Sequence, residues 1–301
     1  RFDTFSFDGT RLVNALIDYG RYKKTKQRVQ KLFMKNPYSL SLITTGKSNG
    51  ILEVLPNVTQ TFSLDLSDFK GNKTKVSVPV QYSSMPAEIA EVPKVSKYLV
   101  KAKRDNIFSK GNVTVSFPAN TFLDDFYLNF DVTKGVLKLH EDIEPAFKSF
   151  SMTFKDSLSL PKDREKMFIG LADGNKIHFY ETKKQKNSFT AYSKVLGEYR
   201  LLKDTIAPRI SIAKSVEGRW ISGQSELQFN ISDDLSGIKS YEGFLNGNWM
   251  LLEFDRKTKK LIHRFSDGIV AEGRNDLKIT VTDNVGNSAI FETHFFRSQE
   301  P

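Results

Sequence analysis

Apolar residues recur at every second position through most of this chain, and that alternation limits the folds open to it. Val113, Val115 and Phe117 alternate with Thr114 and Ser116. The pattern returns at Phe126, Leu128 and Phe130, at Phe150, Met152 and Phe154, and at Leu227, Phe229 and Ile231. Successive strand side chains point to opposite sides, so period two gives each strand one apolar and one polar face. The runs are short, are separated by Asp/Gly/Asn/Lys turns, and have no helical pattern between them. Antiparallel sheets packed face to face satisfy such a sequence, because each apolar face needs a second sheet to cover it. With 24 Phe and 10 Tyr in 301 residues there is ample material for such cores. Asn246-Gly247, ahead of the run 249–254, predicts a two-residue hairpin.

Two stretches interrupt the pattern. Ser83-Ser84-Met85-Pro86 through Val92-Pro93 breaks strand pairing, and Asp204-Thr205-Ile206-Ala207-Pro208 does so again. Cuts there give three consecutive β-sandwich domains, 1–84, 85–203 and 204–301. The first is expected to be incomplete at its N-terminus. Helical candidates lie near the start only: 10–19, capped by Asp8, and 21–33, which places Val29, Leu32 and Phe33 on one face.

The first and third segments share an internal repeat. FSLDLSDFKGNKTKVSVPV (62–80) aligns without gaps on LKITVTDNVGNSAIFETHF (277–295). Phe62, Leu64 and Leu66 fall on Leu277, Ile279 and Val281. Asp68, Gly71 and Asn72 fall on Asp283, Gly286 and Asn287. The reading is a hairpin in which the Asp carboxylate accepts backbone N–H bonds, Gly supplies positive φ and Asn closes the turn. Both segments are therefore expected to be Ig-like. The turn residues are read as structural. The alternative, calcium ligation, needs six to eight oxygens, and Asp233-Asp234 is the nearby acidic pair.

Side-chain inventory removes several chemistries. Without cysteine there is no disulfide, thiolate zinc site, iron–sulfur cluster or cysteine nucleophile. The four histidines, His140, His178, His263 and His294, are isolated in sequence and offer no metal pair. His140 is expected in a polar turn and the other three on sheet faces. Asp124-Asp125 and Asp233-Asp234 read as turn openers rather than as the paired carboxylates of a glycosidase. No Gly-x-Ser-x-Gly elbow, P-loop or dinucleotide fingerprint occurs. No apolar run reaches the ~18–20 residues of a membrane span. The chain opens at Arg1 without Met or a signal-peptide pattern, which reads as a mature product or an excised piece. No catalytic or metal residue is assigned.

Charge points to binding. The formal net charge is +10, and residues 1–84 carry 13 basic against 6 acidic side chains. Arg21, Lys23, Lys24, Lys26, Arg28, Lys31 and Lys35 follow one another without an acid, beside Tyr19 and Tyr22. This run is the candidate site for an anionic partner: glycan carboxylates, lipid head groups or an acidic protein patch. No nucleic-acid motif accompanies it. Trp220 and Trp249 are the only tryptophans. Core packing is the expectation for both, with stacking of Trp249 on a sugar as the alternative.

Several stretches together resemble a known family: IDYGRYKKTKQRVQKLF (17–33), DFKGNKTKVSVPVQY (68–82), VSFPANTF (115–122), DTIAPRISI (204–212), ISDDLSG (231–237), GFLNGNWMLLEFD (243–255), HRFSDGIVAEGRNDL (263–277) and VTDNVGNSAIFE (281–292). They resemble the region downstream of the catalytic domain in lysostaphin-type (LytM-like) zinc metallopeptidases of the Bacteroidota envelope. The resemblance implies a parent that cleaves peptidoglycan cross-links with zinc held by His-x-x-x-Asp and His-x-His motifs. Neither motif occurs here, so no zinc or catalytic residue carries over, and any zinc belongs to a domain upstream of Arg1. The resemblance also implies export to the periplasm or outer membrane. Asp156-Ser157-Leu158 and Asp204-Thr205-Ile206 look like the O-glycosylation pattern of such proteins. The expected function is a non-catalytic accessory region without a cofactor, which positions a peptidase or docks it to an envelope protein. A peptidoglycan- or glycan-binding module, and a subunit of an outer-membrane assembly, are the alternatives.

Overall fold

A computed structural model describes residues 16–33, 46–85, 95–255 and 257–298. These fall into two compact units. One takes the chain up to residue 104 with 119–128 and 142–148, and the other takes 105–118, 129–141 and everything from 149 on. The first unit takes in chain from both sides of residue 84, and position 204 falls between the two sandwiches of the second unit.

The second unit holds two β-sandwiches. In the first, one five-stranded sheet orders Lys176–Tyr180, Met167–Asp173, Gly197–Lys203, Val136–Leu139 and Phe130–Thr133. The other orders Lys183–Gln185, Ser188–Ser193, Phe150–Lys155, Val113–Phe117 and Asn106–Lys110. All pairings are antiparallel. The alternation fixes which faces meet: Val113, Val115, Phe117, Phe150, Met152 and Phe154 are buried, while Thr114, Ser116, Ser151 and Thr153 are not.

The second sandwich faces two four-stranded sheets: Arg209–Ile212, Glu226–Ser232, Lys260–Arg264 and Glu253–Asp255 against Asn248–Met250, Ile238–Leu245, Gly273–Asp283 and Ser288–Arg297. Its core gathers Phe229, Leu245, Leu261, Ile279, Val281 and Phe295, with Leu245 and Phe295 fully inaccessible. Burial of each such side chain contributes about 1.5–3 kcal/mol. The all-β, sandwich-forming reading of the sequence holds for both modules.

The other unit differs from what the sequence led us to expect. The strands Thr59–Ser67 and Lys73–Gln81 form a single antiparallel hairpin. One face carries Phe62, Leu64 and Leu66 opposite Val78, Val76 and Thr74, and most of these side chains are exposed. No second sheet faces the hairpin among the described residues, so the first Ig-like sandwich is represented there by this hairpin alone. A two-stranded sheet, Leu99–Val100 with Phe126–Tyr127, belongs to the same unit.

The helical expectation is corrected in its extent. A helix covers Tyr19–Thr25, not 21–33, and most of the 10–19 candidate lies outside the described residues. Asp18 caps it by accepting the Arg21 N–H at 3.0 Å. Lys26 ends it by turning left-handed at φ 63°. The chain then doubles back, with Ile17 bridged to Gln30 and the Asp18 N–H bonded to the Val29 carbonyl at 2.9 Å.

Candidate binding face

Outward-pointing residues of the last sheet assemble one chemically distinctive surface. The strands Ile238–Leu245, Gly273–Asp283 and Ser288–Arg297 bury one set of side chains and leave Phe244, Arg274, Asp276, Lys278, Glu292, His294 and Phe296 on the other side. Register sets their order. Trp249 lies opposite Phe244, Phe244 opposite Lys278, and Lys278 opposite Glu292. Trp220 bridges to Phe296 at the far edge. Its ring lies 5.3 Å from that of Phe296, and His294 meets the same ring edge-on.

Both tryptophans are exposed, Trp220 by 65 % and Trp249 by 62 %. The expectation of core packing is therefore wrong for each. The sequence WMLL (249–252) is apolar throughout, but strand geometry turns Met250 and Leu252 inward and leaves Trp249 and Leu251 outside. Asn246 at φ 52° and Gly247 at φ 79° make the predicted tight turn that presents Trp249. Asn246 also ties the turn to the sheet, exchanging hydrogen bonds with Asp276 at 2.8 Å in both directions.

Between the aromatic ends lies an open groove of about 530 Å³. Its six ionisable residues form three pairs: Arg274–Asp276 at 2.9 Å, Lys278–Glu292 at 3.0 Å and His294–Glu217 at 2.8 Å. Hydrogen bonds from the Thr293 hydroxyl and the His294 amide, with the nearby imidazole, hold the Glu217 carboxyl below the ordinary carboxylate range. The Arg274 guanidinium does the same for Asp276. Glu217 and Asp276 therefore stay ionised at neutral pH, and the three pairs offer donors and acceptors side by side. Sequence reasoning singled out Trp249 and His294 but not Glu217, Arg274, Asp276, Lys278 or Glu292, which are scattered over 76 positions.

The basic run comes together only in part. Lys23 is committed to Asp142 at 2.5 Å, and Tyr19 donates to the same carboxylate at 3.1 Å. Lys26 and Arg28 lie over the Tyr22 ring. Arg21, Lys24 and Lys31 extend the positive stretch, and Lys35 lies outside the described residues.

The turn residues behave as the repeat implied. The N–H groups of Lys70 and Asn72 reach Asp68 Oδ1, while those of Val285 and Asn287 reach Asp283 Oδ1, all at 2.7–3.0 Å. Gly71 and Gly286 take φ 89° and 81°. The two copies differ in setting: Asp68 is exposed, Asp283 wholly buried. Asp283 meets Asp204 and Asp233, with a carboxylate oxygen of each within 4.8 Å of the others. Asp234, paired with Arg209 at 2.5 Å, is not part of the trio. Amides of their own and neighbouring loops cap all three: Ser236 N–H on Asp204 at 3.0 Å, and Leu235 and Gly237 N–H on Asp233 at 3.0 and 2.6 Å. The arrangement pins the loops around the connection between the two sandwiches.

The histidines stay apart. His140 turns left-handed at φ 51° and accepts the Asn129 N–H at 3.1 Å. His178 is exposed beside Asp173. His263 is wholly buried, with Nδ1 3.0 Å from the Leu251 carbonyl. Among the described residues the Asp204–Asp233–Asp283 trio is the one group of three or more such side chains close enough to share a metal.

Residues 97–204 match the family model of the Zu5-like domain. That stretch includes the first sandwich and leaves the aromatic face outside it. No curated protein matches. Among solved structures, the fibronectin(III)-like modules of Clostridium thermocellum CbhA share 10 % identity over 51 % of this chain and 87 % of theirs, at a TM-score of 0.27. The apo expansin of Clavibacter michiganensis shares 9 % identity over 50 % of this chain and 76 % of its own, at 0.22. The Bacteroides ovatus protein SGBP-B of a mixed-linkage glucan utilisation locus, solved with a mixed-linkage heptasaccharide, shares 13 % identity over 85 % of this chain and 57 % of its own, at 0.18. At these scores the likeness carries no functional weight.

Proposed function

We propose that this chain is a non-catalytic binding region that holds a carbohydrate on the outer face of its last sheet. One observation carries the reading: the two tryptophans are exposed at the two flanks of one sheet face, and the groove on that face is lined by paired polar groups. An exposed indole offers a flat apolar face on which a sugar ring can stack, and polar groups fixed by their neighbours orient a hydroxyl-rich ligand. The resemblance to the region downstream of LytM-like peptidases fits this role, since such a face would keep an envelope peptidase on its glycan. It also fits export to the cell envelope.

The test is retention on insoluble carbohydrate. Purified sacculi and insoluble polysaccharides are incubated with the full chain and with a Trp220→Ala/Trp249→Ala variant. Wild type should be retained and the double variant released. Equal retention of both proteins, or no retention of either, would overturn the reading.

A further inference from the structure

The groove's dimensions and its charge balance narrow the ligand. Trp249 sits on one edge strand of the sheet, Asn248–Met250, and Trp220 lies beyond the opposite edge strand, Ser288–Arg297. Four strand-to-strand steps separate them, and four residues along the last strand separate Glu292, in line with Trp249, from Phe296, beside Trp220. At ~4.8 Å per step and ~3.3 Å per residue the two platforms stand about 23 Å apart on the diagonal. No single sugar reaches both. The span is that of a short oligosaccharide.

The middle of the groove has no unmatched charge to offer an ionic ligand. Arg274, Lys278 and His294 each already face a carboxylate, Asp276, Glu292 and Glu217. A polyanion would have to break these pairs, whereas neutral hydroxyls need only join them. The pairs present a donor and an acceptor within 3.0 Å of each other, which suits vicinal hydroxyl groups. Flat aromatic platforms suit pyranose rings whose substituents are all equatorial, because those rings expose apolar C–H faces.

We infer that the face takes an internal stretch of an uncharged, linear, β-1,4-linked polysaccharide, laid diagonally across the strands from the Trp249 to the Trp220 platform. The inference rests on the carbohydrate-binding reading and goes beyond it by fixing chain length, direction and charge. The basic run of the other unit has no part in it.

Calorimetry on the full chain tests it with two soluble ladders, cellobiose to cellohexaose and the corresponding chito-oligosaccharides, which separate a plain hexose chain from an N-acetylated one. Polygalacturonate serves as the charged comparator. Affinity in at least one ladder should rise about tenfold or more between the dimer and the hexamer, one platform's share of binding. Trp249→Ala and Trp220→Ala should each bring the hexamer down to the level of the dimer. Both positions are exposed, so unchanged melting temperatures should show that the variants fold. Equal affinity for dimer and hexamer, or loss through one tryptophan only, would overturn the two-platform inference and leave carbohydrate binding standing. Tighter binding of polygalacturonate than of either neutral ladder would overturn the charge argument. Failure of every carbohydrate, in solution and on sacculi, would sink both readings.

Discussion

The side-chain amide of Asn287 donates to Asp283 Oδ2 at 2.6 Å, repeating the bond of Asn72 to Asp68 Oδ2 at 2.6 Å. One turn design is thus used twice, once in solvent and once in a buried junction. Its Asp-x-x-Gly-Asn pattern is the same in both places, and its energetic weight is not.

Asp283→Ala should lower stability by about 1–3 kcal/mol, because the half-buried N–H groups of Val285 and Asn287 lose their acceptor, the wholly buried Asp283 carboxylate. Asp68→Ala should leave stability unchanged within error, since water replaces the carboxylate in that exposed turn. Urea denaturation of the two variants makes the comparison. A larger loss at Asp68 would contradict the assignment of the buried copy as the structural one.

Gly243 predicts a packing limit beneath the aromatic face. A Cβ there would stand 2.7 Å from Met250 Cγ and 2.8 Å from Leu252 Cδ1. Gly243→Val should therefore cost about 1–3 kcal/mol through overpacking and disturb the hairpin that carries Trp249. Thermal unfolding with the tryptophan emission maximum reads both effects, and an unchanged midpoint would refute the tight fit.

Acid should act on the groove late. Glu217 and Asp276 titrate below their ordinary values, so the pairs they make are fully present above the ordinary carboxylate pKa. They are lost only as pH falls through the lowered values of the folded protein. Trp220 fluorescence, measured in a Trp249→Phe background, should stay flat from neutral pH down through the ordinary carboxylate range and change only below it. In Glu217→Gln the Glu217 part of that acid transition should be absent. A transition already complete above the ordinary carboxylate range would contradict the assignment to these two carboxylates.

The basic run divides into Lys23, paired with Asp142, and Arg21 and Lys24, which are exposed and not paired with an acid among the described residues. Lys23→Ala should lower the stability of its unit because it strips Asp142 of its cation. Arg21→Ala and Lys24→Ala should leave melting unchanged. If the run binds an anionic partner, such as vesicles with acidic head groups or an acidic polymer, the Arg21/Lys24 double variant should weaken that binding and salt should weaken it further. Equal melting of all three single variants would refute the division.

Local rules carried far here. Alternation located the strands, the Asp-x-x-Gly-Asn repeat predicted two turns down to their hydrogen bonds, and Asn246-Gly247 located the hairpin. Features that depend on register across strands were hidden. Trp249 sits in an unbroken apolar run, and no pattern in such a run says which residues face out. Asp204, Asp233 and Asp283 meet only because two sandwiches abut at one connection, a relation between positions 79 apart. The basic run reads as one helix, but Lys26 adopts a left-handed backbone and splits it.

Asp204 also has a mechanical meaning. Its N–H bonds the Lys166 carbonyl at 2.9 Å, its carboxylate takes the amides of Ile206 and Ser236, and its carbonyl receives Asn287. Lys166 in turn reaches the Val285 carbonyl at 3.1 Å. The residue where one sandwich gives way to the next is thus clamped from both sides, and swivelling there would require several of these bonds to break together. The pair behaves as a lever arm with a locked joint, so a pull on the tryptophan end is transmitted to the far end of the preceding sandwich instead of being absorbed by a loose connection.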